Sequence, residues 1–150
     1  MDVRNEEEPA RKNTLRKEDI EKVLQEIERP FAFVGVMVPE VFAAGGVQLR
    51  LQSILYEMAR KKRLTQEDVE AVINLLNALQ KRKKELTDAI RDSKTQEELQ
   101  RYRAEALGII RAISEFSELT DGVYDDYKDV NRTQNVEDAK RWLNYLKQIK

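Results

Sequence analysis

The residues best suited to chemistry in this chain are basic side chains on two consecutive predicted helices. Four cations in a row are followed by further basic residues with one aromatic ring among them: Lys81, Arg82, Lys83, Lys84, Lys94, Arg101, Tyr102 and Arg103. Lysine and arginine neutralise phosphates, and a tyrosine ring can stack on a base. The set therefore predicts a nucleic-acid contact.

A solvated charged surface explains the same residues without a ligand. Four consecutive residues of a helix point to every side of it, so Lys81 to Lys84 do not form one face. Glu85 and Asp88 lie beside them at the spacing that allows ion pairs along a helix. We favour this second interpretation.

Arg111 is the other residue that invites a functional interpretation, because it lies in the most apolar turn of its predicted helix. If Arg111 is half buried, it needs a carboxylate such as Glu40 or Glu57. Gly35, Glu40 and Arg111 would then line a cleft. The alternative, which helical geometry favours slightly, is that Arg111 points to solvent opposite Ile109.

Enzymatic chemistry finds little support in the composition. The chain has no histidine and no cysteine, so the usual base near neutral pH and the usual thiolate nucleophile and ligand are missing. Gly45-Gly46 lacks the lysine of a phosphate-binding loop, and the acidic stretch from Asp121 to Asp129 lacks the spacing of a calcium loop. We predict no enzyme, no metal and no cofactor.

Length and charge describe one domain without a strong overall field. The chain has 150 residues, with 27 basic and 28 acidic side chains. Residues 1–13 show no apolar periodicity and predict a disordered tail, so that 14–150 forms a single helical domain. No apolar run is long enough to span a bilayer, and the polar start differs from a signal peptide. These features predict a cytoplasmic protein without membrane contact.

Apolar spacing predicts helices over most of the domain. Helices are expected from Leu15 to Arg29, from Leu51 to Lys62, and near the carboxyl end after Asn135. Between them lie two long helices, the first begun by the cap Thr65 and the second by the capping box Thr95 to Glu98. The short link Asp92-Ser93-Lys94 makes these two an antiparallel hairpin, whose tip would extend beyond the other helices.

Both long helices carry apolar residues at alternating spacings of three and four, as in a coiled coil. In the first helix these are Val69, Val72, Leu76, Leu79, Leu86 and Ile90, interrupted by Lys83, and in the second Leu99, Tyr102, Ala106, Ile109, Ile113 and Phe116. Such seams supply surface for packing against a neighbour.

The segment from Phe31 to Leu51 departs from this helical pattern and is where a specialised site would lie. It holds three of the five glycines, and Pro30 and Pro39 flank its apolar first part. Pro30 to Met37 fits either a short buried helix or a strand. Farther on, Gly45-Gly46 predicts a short β-hairpin of Glu40 to Ala43 against Val47 to Leu49.

Several short motifs occur here in a characteristic order over residues 20–119. They are Val38-Pro39-Glu40, Gly46, Leu49-Arg50-Leu51, Leu64-Thr65, and the run from Glu105 to Ile113. In this order the chain resembles a family of small archaeal proteins of unknown function. The resemblance implies an archaeal, cytoplasmic setting and no established activity, so it supplies no site residue.

The sequence thus predicts a mainly α protein: a helical bundle with a long antiparallel helical hairpin and a short β-hairpin insert. Paired apolar seams and unevenly distributed charge provide contact surface but no reaction chemistry. We therefore predict a non-enzymatic module for protein–protein interaction or self-association, with a homodimer as one form of it. Nucleic-acid binding by the Lys81 to Arg103 region is the alternative.

Overall fold

The computed structural model describes residues 14–120 and 136–149. It contains five helices and one two-stranded sheet in the following order: α1 Lys17–Glu28, β1 Val41–Ala44, β2 Val47–Arg50, α2 Leu51–Arg60, α3 Gln66–Arg91, α4 Gln96–Thr120 and α5 Val136–Lys147. The predicted mainly α fold with a β-hairpin insert is confirmed. The predicted tail 1–13, the acidic stretch from Asp121 to Asp129 and the predicted start at Asn135 lie outside the described residues.

Helices α3 and α4 form the predicted antiparallel hairpin at the centre of the fold. Thr65 caps α3, since its Oγ1 accepts from the amide of Asp68 while the Asp68 carboxylate accepts from the amide of Thr65. Both predicted seams are used within the molecule: Val72, Leu76, Leu79, Leu86 and Ile90 of α3 are buried, as are Leu99, Ala106, Ile109 and Phe116 of α4. The first half of α3 is buried on every side from Ala71 to Leu76, because several elements surround it.

Helix α1 covers the tip of the hairpin, so the expected extension of that tip beyond the other helices is wrong. The side chain of Gln96, at the start of α4, donates to Asp19 near the start of α1 at 2.8 Å. Farther along, Arg103 donates to Glu26 near the end of α1. The two helices therefore run in the same direction, beginning at the same level.

The insert is an antiparallel β-hairpin, confirmed with the strand ends shifted by about one residue. Ala44 pairs with Val47 across Gly45-Gly46, which have φ values of 55° and 77°. Two positive φ values make this a type I′ turn, the two-residue connection that matches strand twist. Because that loop has only two residues, pairing continues to Ala44, and at the other end to Val41↔Arg50.

Residues 30–36 are neither the helix nor the strand expected for Pro30 to Met37, but consecutive turns. The amides of Ala32, Val34 and Val36 donate to the carbonyls of Arg29, Phe31 and Phe33 at 3.2, 3.1 and 2.9 Å. Phe31 and Gly35 have φ values of 62° and 82°, which stop a helix and a strand alike. The apolar pattern of the sequence did not predict these two positive φ values, which occur four residues apart.

Candidate functional site

Two of the seven basic residues in the predicted nucleic-acid contact, Arg82 and Arg103, pair with carboxylates of the same molecule. Arg82 donates to Glu105 across the hairpin at 2.7 and 3.1 Å and reaches Glu85 at 3.4 Å. Arg103 makes a bidentate pair with Glu26 at 2.5 and 2.7 Å, which raises the pKa of Arg103 and lowers that of Glu26. These two arginines hold helices together.

The other basic residues of the predicted contact lie on the surface of α3, of α4 and of the link between them. Lys81, Lys84 and Lys94 are exposed, whereas Lys83 is half buried. The guanidinium of Arg101 stacks over the ring of Tyr102, with 5.3 Å from Cζ to the ring centroid. The basic residues outside the ion pairs are therefore surface cations and one cation–π pair. This arrangement favours a solvated charged surface over a phosphate-binding groove.

Arg111 is half buried, but its carboxylate partner is neither Glu40 nor Glu57. Its Nη2 lies 2.5 Å from Glu115, one helical turn along α4, while Glu57 pairs with Arg60 at 2.9 Å. The Arg111 guanidinium also stacks over the ring of Phe33, 5.3 Å from its centroid. Arg111 thus contacts the segment that contains Gly35 through Phe33, and its ion pair with Glu115 replaces the expected pair with Glu40 or Glu57.

The segment 30–39 is fixed to the helices below it at two further points. Gly108 of α4 lies beneath Pro39, and a Cβ added at Gly108 would lie 3.1 Å from the Pro39 Cγ. The side chain of Gln52 donates to the carbonyl of Val38 at 2.8 Å. These contacts hold one side of the segment against α4 and α2.

Large apolar side chains cover the outer side of this segment. Phe31, Val34 and Met37 are 73%, 69% and 76% exposed, and Val41 at the start of β1 is 46% exposed. Residues 30–39 contain no charge, in a chain of which 37% is charged. We call Phe31, Val34, Met37 and Val41 the apolar surface.

The backbone at Phe31 is strained. Pro30 and Phe31 occupy the central positions of the turn that starts at Arg29, and the positive φ at Phe31 gives the turn type II character. Glycine or asparagine normally occupies this position, because a bulky side chain in the left-handed region costs on the order of 1–2 kcal/mol. The strained turn holds a phenylalanine that is mostly exposed and whose ring packs edge to face on that of Phe33, with 6.1 Å between the ring centroids.

A shallow groove lies between α2 and α4, and no residue of the apolar surface lines it. Its volume is about 530 Å³, and its lining combines apolar and acidic side chains: Gln52, Leu55, Tyr56, Ala59, Glu115, Glu118 and Leu119. Tyr56 is 66% exposed at its rim, and the Arg60 guanidinium stacks over its ring. Because Arg111 already neutralises Glu115, the groove presents no cluster of unpaired charges that would define a ligand.

A buried polar cluster joins α5 to α3. Asp68 is fully buried and accepts from Lys61 Nζ at 2.8 and 3.0 Å, from the amide of Thr65, and from the Tyr145 hydroxyl. Burial by itself raises the pKa of Asp68, but these hydrogen bonds outweigh it and lower the pKa to about 2. All groups of the cluster are matched with one another, so it stabilises the fold.

The described residues contain no group of three or more acidic side chains placed to hold a metal ion. Within the same described residues, no helix is long and apolar enough to cross a bilayer.

Residues 15–147 match the model of a family of unknown function, DUF5788. The chain belongs to this family. No curated protein and no solved structure matches it.

Sequence reasoning missed two features of the site. The exposure of the apolar surface was not predicted, because the two alternatives for Pro30 to Met37 were a short buried helix and a strand. The Asp68 and Tyr145 contact joins residues separated by 77 positions, and only the capping role of Asp68 was readable from spacing.

Proposed function

We propose that this member of DUF5788 is a non-enzymatic interaction module in an archaeal cytoplasm, and that its contact site is the apolar surface. The observation that supports the proposal is the exposure of Phe31, Val34, Met37 and Val41 on a segment fixed from below. The hairpin seams, which the sequence offered as contact surface, are filled within the molecule and leave this segment as the candidate.

The size of the apolar surface suits a weak interface. Its four residues together expose on the order of 450 Å², about the size of the largest apolar patch on a typical monomer. Burying that area contributes about 11 kcal/mol at 25 cal/mol per Å², of which association consumes a large part. We expect dissociation constants between the micromolar and millimolar ranges.

The strain at Phe31 supports the same proposal. A mostly exposed phenylalanine in a left-handed backbone position is best explained by a role outside the folded monomer. Asparagine would satisfy the turn without strain. Phenylalanine at this position therefore lowers the stability of the monomer and provides an exposed ring for contact with a partner.

Comparison of two variants tests the proposal. Phe31→Asn removes the most strained residue of the apolar surface, and Tyr56→Asn removes an equally exposed aromatic residue from another place. Each protein is immobilised and used to capture proteins from an archaeal extract, and its self-association is measured by sedimentation. We expect Phe31→Asn to lose binding that Tyr56→Asn retains. Equal behaviour of both variants and the wild type in both assays would refute the proposal.

A further inference from the structure

One face of α4 holds the segment of residues 30–39. Gly108 lies beneath Pro39, where a Cβ would come within 3.1 Å of the proline ring, and Arg111 stacks over the ring of Phe33. Residues three apart on a helix lie on the same face, as Gly108 and Arg111 do. This face of α4 therefore contacts the segment at two places, once by close backbone approach and once through a long charged side chain.

Two partners fix the direction of the Arg111 side chain. Its Nη2 lies 2.5 Å from Glu115 Oε1, and its Cζ lies 5.3 Å from the centroid of the Phe33 ring. Arg111, Glu115 and Phe33 are all half buried, so water and salt screen both interactions only in part. The ion pair with Glu115 therefore keeps the guanidinium over the ring.

The Phe33 ring in turn packs against Phe31 of the apolar surface. The ring centroids are 6.1 Å apart and the ring planes meet at 62°, an edge-to-face arrangement that aromatic pairs prefer. Phe31 has a φ of 62°, and residues in such strained conformations persist where the surrounding structure fixes them. Because Phe33 supplies a contact of this kind, the position of Phe31 depends on the position of Phe33.

We propose that Arg111 is the positioning residue of the apolar surface, acting through Phe33 to hold Phe31 in its left-handed turn. This inference rests on the proposed function and names the residue that keeps its contact site in shape. A site whose form is fixed before binding loses less conformational entropy when a partner binds. Without the guanidinium, Phe33 gains freedom to move and the turn at Phe31 loosens. The affinity of the site then falls, although no side chain of the apolar surface has changed.

The chemistry of arginine suits this role. A guanidinium is planar, so its face can stack on a ring while its edge donates to a carboxylate, and Arg111 makes both contacts. Two further arginines in the described part of the chain stack on rings, Arg60 on Tyr56 and Arg101 on Tyr102, but each of these pairs lies within one helix. The stack made by Arg111 joins a helix to a separate segment.

Amide hydrogen exchange measured by NMR tests the positioning directly. The amides of Val34 and Val36 donate across the turns of the segment, so their exchange rates report whether these turns hold. We expect Arg111→Met to speed their exchange about threefold to tenfold, because methionine keeps an apolar chain but no charge. Arg101→Met is the matched control, since it removes a stack of the same 5.3 Å about 15 Å farther along α4, and it should leave both rates unchanged. Equal rates in wild type and Arg111→Met would overturn the inference.

Variants of the ring test whether Arg111 acts through Phe33. Phe33→Tyr keeps a ring beside the guanidinium and should behave as wild type does, whereas Phe33→Leu should speed exchange as Arg111→Met does. Adding Arg111→Met to Phe33→Leu should speed exchange by less than about twofold more, because the stack is already lost. Full additivity of the two changes would show that Arg111 acts by another route and would overturn the inference.

The contact assays separate this inference from the proposed function. We expect Arg111→Met to weaken the self-association or capture that Phe31→Asn loses by at least about threefold, while Arg101→Met keeps it. If Phe31→Asn loses binding and Arg111→Met does not, Arg111 does not position the contact site, and the proposed function stands. If Arg111→Met loosens the turns but Phe31→Asn changes no binding, the proposed function fails and the hold of Arg111 on the segment stands.

Discussion

The Tyr145 hydroxyl donates to the carboxylate of Asp68, joining the last helix of the chain to the first turn of α3. The same carboxylate accepts from Lys61 and from the amide of Thr65. One buried acid therefore caps a helix, closes the α2–α3 link and fixes α5. Its ionised form strengthens all three contacts, which makes it a sensitive point of the fold.

Acid should weaken the fold through Asp68. The pKa of this carboxyl is lowered from 3.8 to about 2, so its stabilisation is complete above pH 4 and is lost as the pH falls towards 2. The shift corresponds to about 2 kcal/mol of unfolding free energy. Urea unfolding at several pH values, followed by the fluorescence of Trp142, the single tryptophan, measures it.

Asp68→Asn is the variant that isolates this contribution. We expect it to lose about 2 kcal/mol near neutral pH, and to approach the wild-type stability at pH 2, where the wild-type carboxyl is half protonated. Tyr145→Phe should lose about 1 kcal/mol, as expected for one hydrogen bond. An Asp68→Asn variant with the same loss at pH 2 as at pH 7 would contradict the assignment of the pKa.

The turn glycines of the hairpin should differ in their response to alanine. Both have positive φ, so alanine is strained at either position. At Gly46 the new methyl meets open space, whereas at Gly45 it would lie 2.8 Å from the Leu143 Cδ1. We expect Gly45→Ala to destabilise the protein by about 1 kcal/mol more than Gly46→Ala. Thermal unfolding of the two variants, with Leu143→Ala as background, checks that the difference comes from α5.

Phe31→Asn should separate stability from association. Asparagine accepts the left-handed backbone at this turn position, and the side chain it replaces is 73% exposed. We expect the free energy of unfolding to rise by up to about 1 kcal/mol while self-association falls at least about tenfold. Chemical denaturation and sedimentation give the two quantities. A loss of stability would show that Phe31 supports the fold instead.

Charge reversal at the hairpin tip should have little effect on binding. Lys81→Glu with Lys84→Glu changes two exposed cations that lie outside the Arg82 and Arg103 ion pairs. We expect unchanged sedimentation and, for wild type as for the variant, no salt-dependent retention of RNA or DNA. If wild type binds nucleic acid with a steep salt dependence that the variant lacks, the alternative function predicted from sequence is the correct one.

The sequence predicted the regular elements because their signals are local. Apolar spacing located α3 and α4, the Thr65 and Thr95 caps marked their starts, and Gly45-Gly46 located the β-hairpin turn. The seam residues were identified with few exceptions, such as Val69, which is half buried. Periodicity is reliable where one helix face is buried.

The site was less predictable because its contacts are not local. Arg111 pairs with Glu115, one helical turn away, and not with the distant Glu40 or Glu57, because the spacing of four residues on a helix favours such a pair. For residues 30–36, a run of apolar residues suggested burial, whereas the positive φ at Phe31 turns the segment outward. Neither the Arg82–Glu105 ion pair nor the position of α1 over the hairpin tip could be predicted from the sequence, because both depend on how separate helices pack.

Capture of proteins from an extract, together with sedimentation of the purified chain, tests most directly the central claim, that the apolar surface is a contact site. Wild type and Tyr56→Asn should bind a captured protein or associate with themselves, and Phe31→Asn should do so at least about tenfold more weakly. Three proteins that behave alike in both assays would contradict the claim.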